Sequence, residues 1–180
     1  MSNSGRIAKN TMYLYFRSLF VLFISLYTSR VVLRELGVVD YGIYNVVGGV
    51  IGMLGFLKSS MHATYQRYIN VEMGRGNHAG VKDMFRSALA VQLILAVVII
   101  VLAESVGLWF LYNKLVIPAE RMDAAFWVFQ SAVVSFLLTV LSGPFGAAIT
   151  AYERMGAFAI ISIVDAVLRL VIVLLLEYIL

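Results

Sequence analysis

The chain contains no cysteine. That excludes disulfides, thiolate metal ligands and a lipoprotein anchor. Charge is also scarce, at 13% Asp, Glu, Lys and Arg, against about 25% in a soluble domain. The two histidines, His62 and His78, stand sixteen residues apart with no paired acids beside them, so a metal site is not expected. No G-x-x-x-x-G-K-[ST] sequence and no G-x-S-x-G elbow occurs, and Gly74-x-Gly76 is too short for a nucleotide fingerprint. The longest polar segment is too small to house a sugar-nucleotide site, and the acids Glu72, Asp83 and Glu153 are scattered singly rather than clustered for a metal. Neither an enzyme nor a cofactor is expected.

What is present is apolar. Hydrophobic residues make up 62% of the chain and mean hydropathy is +0.92, so the sequence predicts an all-α, polytopic transmembrane helix bundle. About 20 apolar residues are needed per crossing, and five helices are expected over 10–33, 41–69, 84–111, 124–151 and 156–180 in one transmembrane lobe. Arg30, Arg34 and Glu35 close the first helix, and Leu36 to Asp40 forms a turn in which Asp40 caps the second. The segment Glu72 to Asp83, with Gly74, Gly76, Asn77 and Gly80, is the clearest loop. Trp109 and Tyr112 mark an interface. Arg6 and Lys9 precede an apolar stretch without a convincing cleavage site, which predicts a retained first helix rather than a signal peptide. The final helix is still apolar at Leu180, so further helices are expected beyond it.

Lys and Arg set the orientation. With the N-terminus cytosolic, Arg6, Lys9, Lys58, Arg67, Arg75, Lys82, Arg86 and Arg154 fall inside, against Arg30, Arg34, Lys114 and Arg121 outside, which is eight to four. The net charge of +4 and pI near 9.4 follow from these loops and are no signal for nucleic acid.

Two arginines stand where membrane spans are expected. Arg17 interrupts Thr11 to Thr28, and Arg169 interrupts Ala157 to Leu176. A guanidinium at the centre of a membrane helix costs about 3 kcal/mol on insertion scales, and such residues face a protein interior or a water-filled cavity. Arg17 has no acid at i±3 or i±4, so its partner must be another helix, water or an anionic ligand. Asp165 lies four residues before Arg169 and shares its helix face. The pair is either a neutralised structural element or part of a site. Lys58 is expected near the inner boundary, where snorkelling is the simpler account. Tyr13 flanks the Arg17 face and is a candidate for contact with sugar rings. Gly48 and Gly52 form a small-x-x-x-small pair suited to close helix packing or to a bendable wall. Pro144, after Gly143, is expected to kink its helix and free a carbonyl inside the membrane.

The run Leu33 to Val47 contains L-G-x-x-D-Y-G-x-Y at Leu36 to Tyr44. It resembles the polysaccharide-exporter branch of the multidrug/oligosaccharidyl-lipid/polysaccharide exporter superfamily, the flippases for O-antigen and capsule repeat units. Gln66-Arg67-Tyr68-Ile69 and Ala151-Tyr152-Glu153-Arg154 add to the likeness, of which 40–44 is the distinctive part. The resemblance implies two six-helix lobes around a central cavity, this chain supplying most of the N-terminal one. It implies alternating-access flipping of undecaprenyl-pyrophosphate-linked oligosaccharide across the bacterial inner membrane for lipopolysaccharide, capsule or other surface polysaccharide biosynthesis. The implied partners are that lipid carrier, membrane lipids, and the polysaccharide polymerase and other assembly proteins. In related lipid-II flippases a first-helix arginine engages pyrophosphate, and Arg17 falls at the matching place; Lys58 and Asp40 fall near basic and acidic positions of those relatives. The resemblance carries no role over to Asp165 and Arg169. The alternative is a cation-coupled drug or small-molecule antiporter of the same superfamily, which needs an unpaired membrane carboxylate; Asp165 is the candidate.

Overall fold

The computed structural model describes the backbone of residues 3–179 and the side chains of 8–55, 58–175 and 178; Leu180, the last residue of the fifth expected helix, lies outside the described residues. Every described element is helical. The run Asn3–Gly52 contains two helices joined at Gly37, here α1 (3–36) and α2 (38–52). Then come α3 (Gly55–Gly74), α4 (His78–Leu102), a π turn (Ala103–Gly107) and α5 (Leu108–Asn113). A 3₁₀ turn (Ala119–Arg121) leads into α6 (Met122–Leu141), α7 (Gly143–Ala151) and α8 (Met155–Ile179). Among the described residues four stretches are long and apolar enough to cross a membrane: Ala8–Gly52, His78–Asn113, Ala119–Ala151 and Met155–Leu175. Their exposed surface is itself apolar, with Phe23 69%, Ile94 67% and Leu138 64% exposed. This is the surface of a multi-pass membrane protein, whose solvent is hydrocarbon.

Several expectations are corrected in detail. The turn between the first two helices is a single residue: Gly37, at φ 72° and ψ 173°, adopts backbone essentially reserved for glycine. Asp40 therefore sits inside the first turn of α2, where a carboxylate suits the positive end of the helix, and not at its cap. The loop 72–83 shrinks to 75–77, because Asn77 Oδ1 accepts the Gly80 amide at 3.0 Å and starts α4 at His78. The second expected helix, 41–69, is broken at Met53 and Leu54, between α2 and α3.

Contacts divide the chain into two units, Gly42–Ala151 and Met1–Tyr41 with Tyr152–Leu180. In the first, Val47 and Ile51 of α2 pack with Leu111, Ala125 and Phe129 beside the 114–118 connection. Tyr65 of α3 packs with Ala88 and Ala147 towards the 75–77 turn. The broken pair α2–α3 therefore runs alongside most of His78–Asn113, from the end that leads into 114–118 to the end at 75–77. Neither half does so alone, since α2 is only about 22 Å long and α3 about 30 Å.

In the second unit, Tyr13 lies against Gly156, whose added Cβ would stand 3.5 Å from the ring. Arg17 lies over Phe158 at 4.7 Å. Both contacts advance together along the two chains, so α1 and α8 run parallel. The covered residues of α1 recur at Asn10, Leu14, Arg17, Val21, Ile24, Thr28 and Val31, and those of α8 include Gly156, Ala159, Ala166, Leu170 and Val173.

Candidate functional site

Arg17 occupies the third position of the α1 stripe, in the seam with α8. Its guanidinium stacks on Phe158, Nε is buried without a hydrogen-bond partner, and no ion pair to Arg17 occurs among the described residues. A cation over a phenyl face gains about 0.5–2 kcal/mol, less than the ~3 kcal/mol that a guanidinium costs at membrane depth. Stacking therefore offsets part of the charge and leaves the rest to water or an anion. A guanidinium is able to bind an oxyanion in bidentate fashion through paired N–H groups. One turn earlier, Tyr13 is pinned between Gly156 and the ammonium of Lys9, 5.9 Å above its ring. Tyr13 is thus a wall of the Arg17 seam, while Tyr15 faces outward at 69% exposure. Further along the stripe, Thr28 Oγ1 is also buried and unpartnered.

Asp165 and Arg169 form the expected pair, 3.0 Å apart, with side chains 59% and 72% exposed. They lie off the stripe that meets α1, which passes through Ala159 and Ala166. Arg169 begins eleven residues beyond Phe158, ~16 Å along the axis, and its guanidinium is turned to Asp165. Arg17 and Arg169 are thus not brought together, and one diphosphate cannot bridge them.

In the unit Gly42–Ala151, Lys58 lies seven residues before Tyr65, ~10 Å further along α3. Tyr65 is level with Ala88, which follows Arg86, the last basic residue before the apolar run of α4. Lys58, half-buried, therefore stands about four turns from the 75–77 end of α3, further along than an inner boundary at Arg86 would place it. Helical side chains lean towards their helix N-terminus, here away from that boundary, so snorkelling does not account for it. No ion pair to Lys58 occurs among the described residues.

The glycine expectation is corrected. A Cβ added at Gly48 or Gly52 would meet nothing within 4 Å, because α2 packs through Val47 and Ile51 instead. Gly52 ends α2 at the break, and Gly49, on the open side, lines an apolar cleft of about 440 Å³ with Asn45, Met53, Gly107 and Phe110. The helix that carries Pro144 is interrupted at Ser142, between α6 and α7. The missing N–H of the proline frees the Val140 carbonyl four residues earlier, and Gln92 Nε2, from α4, donates to that oxygen at 2.6 Å. Tyr65 of α3 donates to Gln92 Oε1 at 3.1 Å. Gly143 leaves room for the amide, since a Cβ there would stand 2.9 Å from Nε2.

Two features escaped sequence reasoning. Gln92 read as a blemish in an apolar run, yet it is fully buried and joins three segments of chain; its distance from Pro144 in sequence hides the partnership. Glu104, in the π turn, was signalled by being the one charged residue between Arg86 and Lys114. Among the described residues no group of three His, Cys, Asp or Glu side chains is placed to hold a metal. No family model, curated protein or solved structure matches the chain.

Proposed function

We propose that the chain is part of a flippase that moves a lipid-linked oligosaccharide, carried on undecaprenyl pyrophosphate, across the bacterial inner membrane. Arg17 would engage the diphosphate. The observation that supports this reading best is a permanently charged guanidinium at membrane depth, stacked on Phe158 and without an acidic partner among the described residues. Pyrophosphate offers paired oxyanions that match such paired N–H groups. The isoprenoid tail stays in lipid while the glycan crosses through water. Tyr13, one turn from Arg17, would meet the first sugar. Lys58 is a second cation without an ion pair among the described residues, and Asp165–Arg169 drops to a structural pair. In this reading the protein is a transporter and not an enzyme, its N-terminus is cytosolic, and the eight-to-four distribution of Lys and Arg supports that orientation.

The test is complementation in the complete protein. Arg17→Ala is expected to abolish surface-glycan export at wild-type protein level, and Arg17→Lys to retain a fraction, since lysine keeps the charge but loses the fork. Wild-type export by Arg17→Ala at normal abundance removes the proposed role.

A further inference from the structure

Between α2 and the π turn lies the apolar cleft of about 440 Å³, lined by Asn45, Val46, Gly49, Met53, Gly107 and Phe110 among others. Its volume falls in the range of about 300–1,000 Å³ that small-molecule pockets occupy. The concavity comes from missing side chains. A Cβ added at Gly49 would meet nothing within 4 Å, so the wall between Val46 and Met53 is hollow. Opposite, Gly107 gives up its side-chain space to Phe129, whose Cζ would stand 2.7 Å from an added Cβ. The mouth is open, with Val46, Val106 and Met53 exposed, the last at 78%.

The two ends of the cleft fix its depth in the membrane. Leu115, at one end, follows Lys114, whose ammonium lies 5.4 Å from the Trp109 ring, and aromatic and basic side chains together mark an interface. Met53, at the other end, lies at the break between α2 and α3. From Asn45 to Met53 the helix rises ~12 Å, close to half of a hydrocarbon core ~30 Å thick.

An occupant must therefore be apolar, slender and about one leaflet long. A fatty acyl chain has that shape, whereas a polyprenyl tail is several times too long. Hydrocarbon is the solvent here, so hydrophobicity cannot select one chain over bulk lipid. Close packing against fixed walls can, and so can the group that the lipid head meets. Lys114, beside Leu115 at the interface end, has no ion pair among the described residues. Glu104, which would repel an anion, does not line the cleft; Gln130 Nε2 of α6 donates to its Oε2 at 3.2 Å.

We propose that the cleft binds one acyl chain of an anionic glycerophospholipid. The phosphate meets Lys114, and the chain runs from the level of Asn45 and Leu115 down to Met53. The site stands whatever cargo the protein carries.

The test uses the intact chain in phosphatidylcholine nanodiscs doped with phosphatidylglycerol that carries a diazirine at the tip of one acyl chain, followed by photolysis and peptide mass spectrometry. Labelling of Val50, Met53 and Val106 is expected to saturate as the probe fraction rises. Labelling of Val134, exposed on α6, should rise in proportion, as on a surface wetted by bulk lipid. Gly49→Leu puts a side chain into the cleft without a clash and should bring cleft labelling down to the level of Val134. Lys114→Gln should raise the probe fraction at half-saturation several-fold. Proportional labelling of the wild-type cleft overturns the proposal, and that arm needs no variant to fold. Cleft labelling below that of Val134 overturns it as well, because a second copy or another protein segment then fills the cleft. A phosphatidylcholine probe with the same chain that saturates at the same fraction overturns the assignment to an anionic lipid.

Discussion

At the scale of single residues, the polar groups inside the apolar frame fall into two kinds. Gln92 is satisfied on both sides of its amide: it donates to the carbonyl that Pro144 frees and accepts from Tyr65. Replacing it with leucine leaves a buried carbonyl without a donor, which costs about 1–3 kcal/mol. Gln92→Leu is therefore expected to lower the thermal midpoint of the detergent-solubilised protein by several degrees, while Gln130→Leu, outside this network, leaves it nearly unchanged. Equal midpoints for wild type and Gln92→Leu would mean the network contributes no stability. Arg17, Lys58 and Glu104 are of the other kind, charged and uncompensated among the described residues. Arg17 and Lys58 were legible in the sequence because an ionic side chain in an apolar run is conspicuous. Their partners were not: Phe158 lies far from Arg17 in sequence, and no local spacing encodes a stacking contact between distant helices.

At the scale of elements, periodicity and apolar length located the helices, but not their interruptions. The break at Ser142 was foreseeable, since proline removes a specific amide. The break at Met53 and Leu54 and the π turn at 103–107 carry no such mark. The π turn falls where Gly107 meets Phe129, whose Cζ an added Cβ would approach to 2.7 Å, a constraint set by packing. Gly37 is a case between the two. A glycine before Val38-Val39-Asp40 reads as a turn, yet only the backbone angles show that it makes the turn alone. Gly37→Ala has open space around it, so its cost is purely conformational, about 1–3 kcal/mol for this region. It is expected to lower the thermal midpoint, and a Gly37→Asn variant should not restore it, because asparagine favours the left-handed helical region and not ψ near 180°. A wild-type midpoint for Gly37→Ala would show that α1 and α2 join in another way.

At the scale of the whole molecule, two independent observations bear on membrane sidedness. The parallel pairing of α1 with α8 requires an odd number of crossings between them. The unit Gly42–Ala151 supplies three: α2–α3 together, His78–Asn113 and Ala119–Ala151. Five crossings are expected on that count; among the described residues four stretches are long and apolar enough to be recognised individually. The absence of cysteine makes this directly measurable by single-cysteine labelling with a membrane-impermeant maleimide. Cysteines at Asn77 and Arg154 are expected to react from one face, and cysteines at Glu35 and Val116 from the other. Labelling of Glu35 and Asn77 from the same face would show that α2–α3 does not cross.

The sequence by itself determined that this is an all-helical membrane protein, where most of its helices lie, and that Arg17 and Arg169 interrupt its apolar runs. Those properties follow from composition and from periods of a few residues, which a linear chain carries openly. Only the tertiary structure decided that Arg17 stacks in a seam, that Arg169 belongs to Asp165 and not to Arg17, and that Gln92 caps the carbonyl beneath Pro144. Each of those outcomes depends on which helix faces which, and at what height. That is settled by side-chain shape and close packing over tens of residues, beyond the reach of any local pattern.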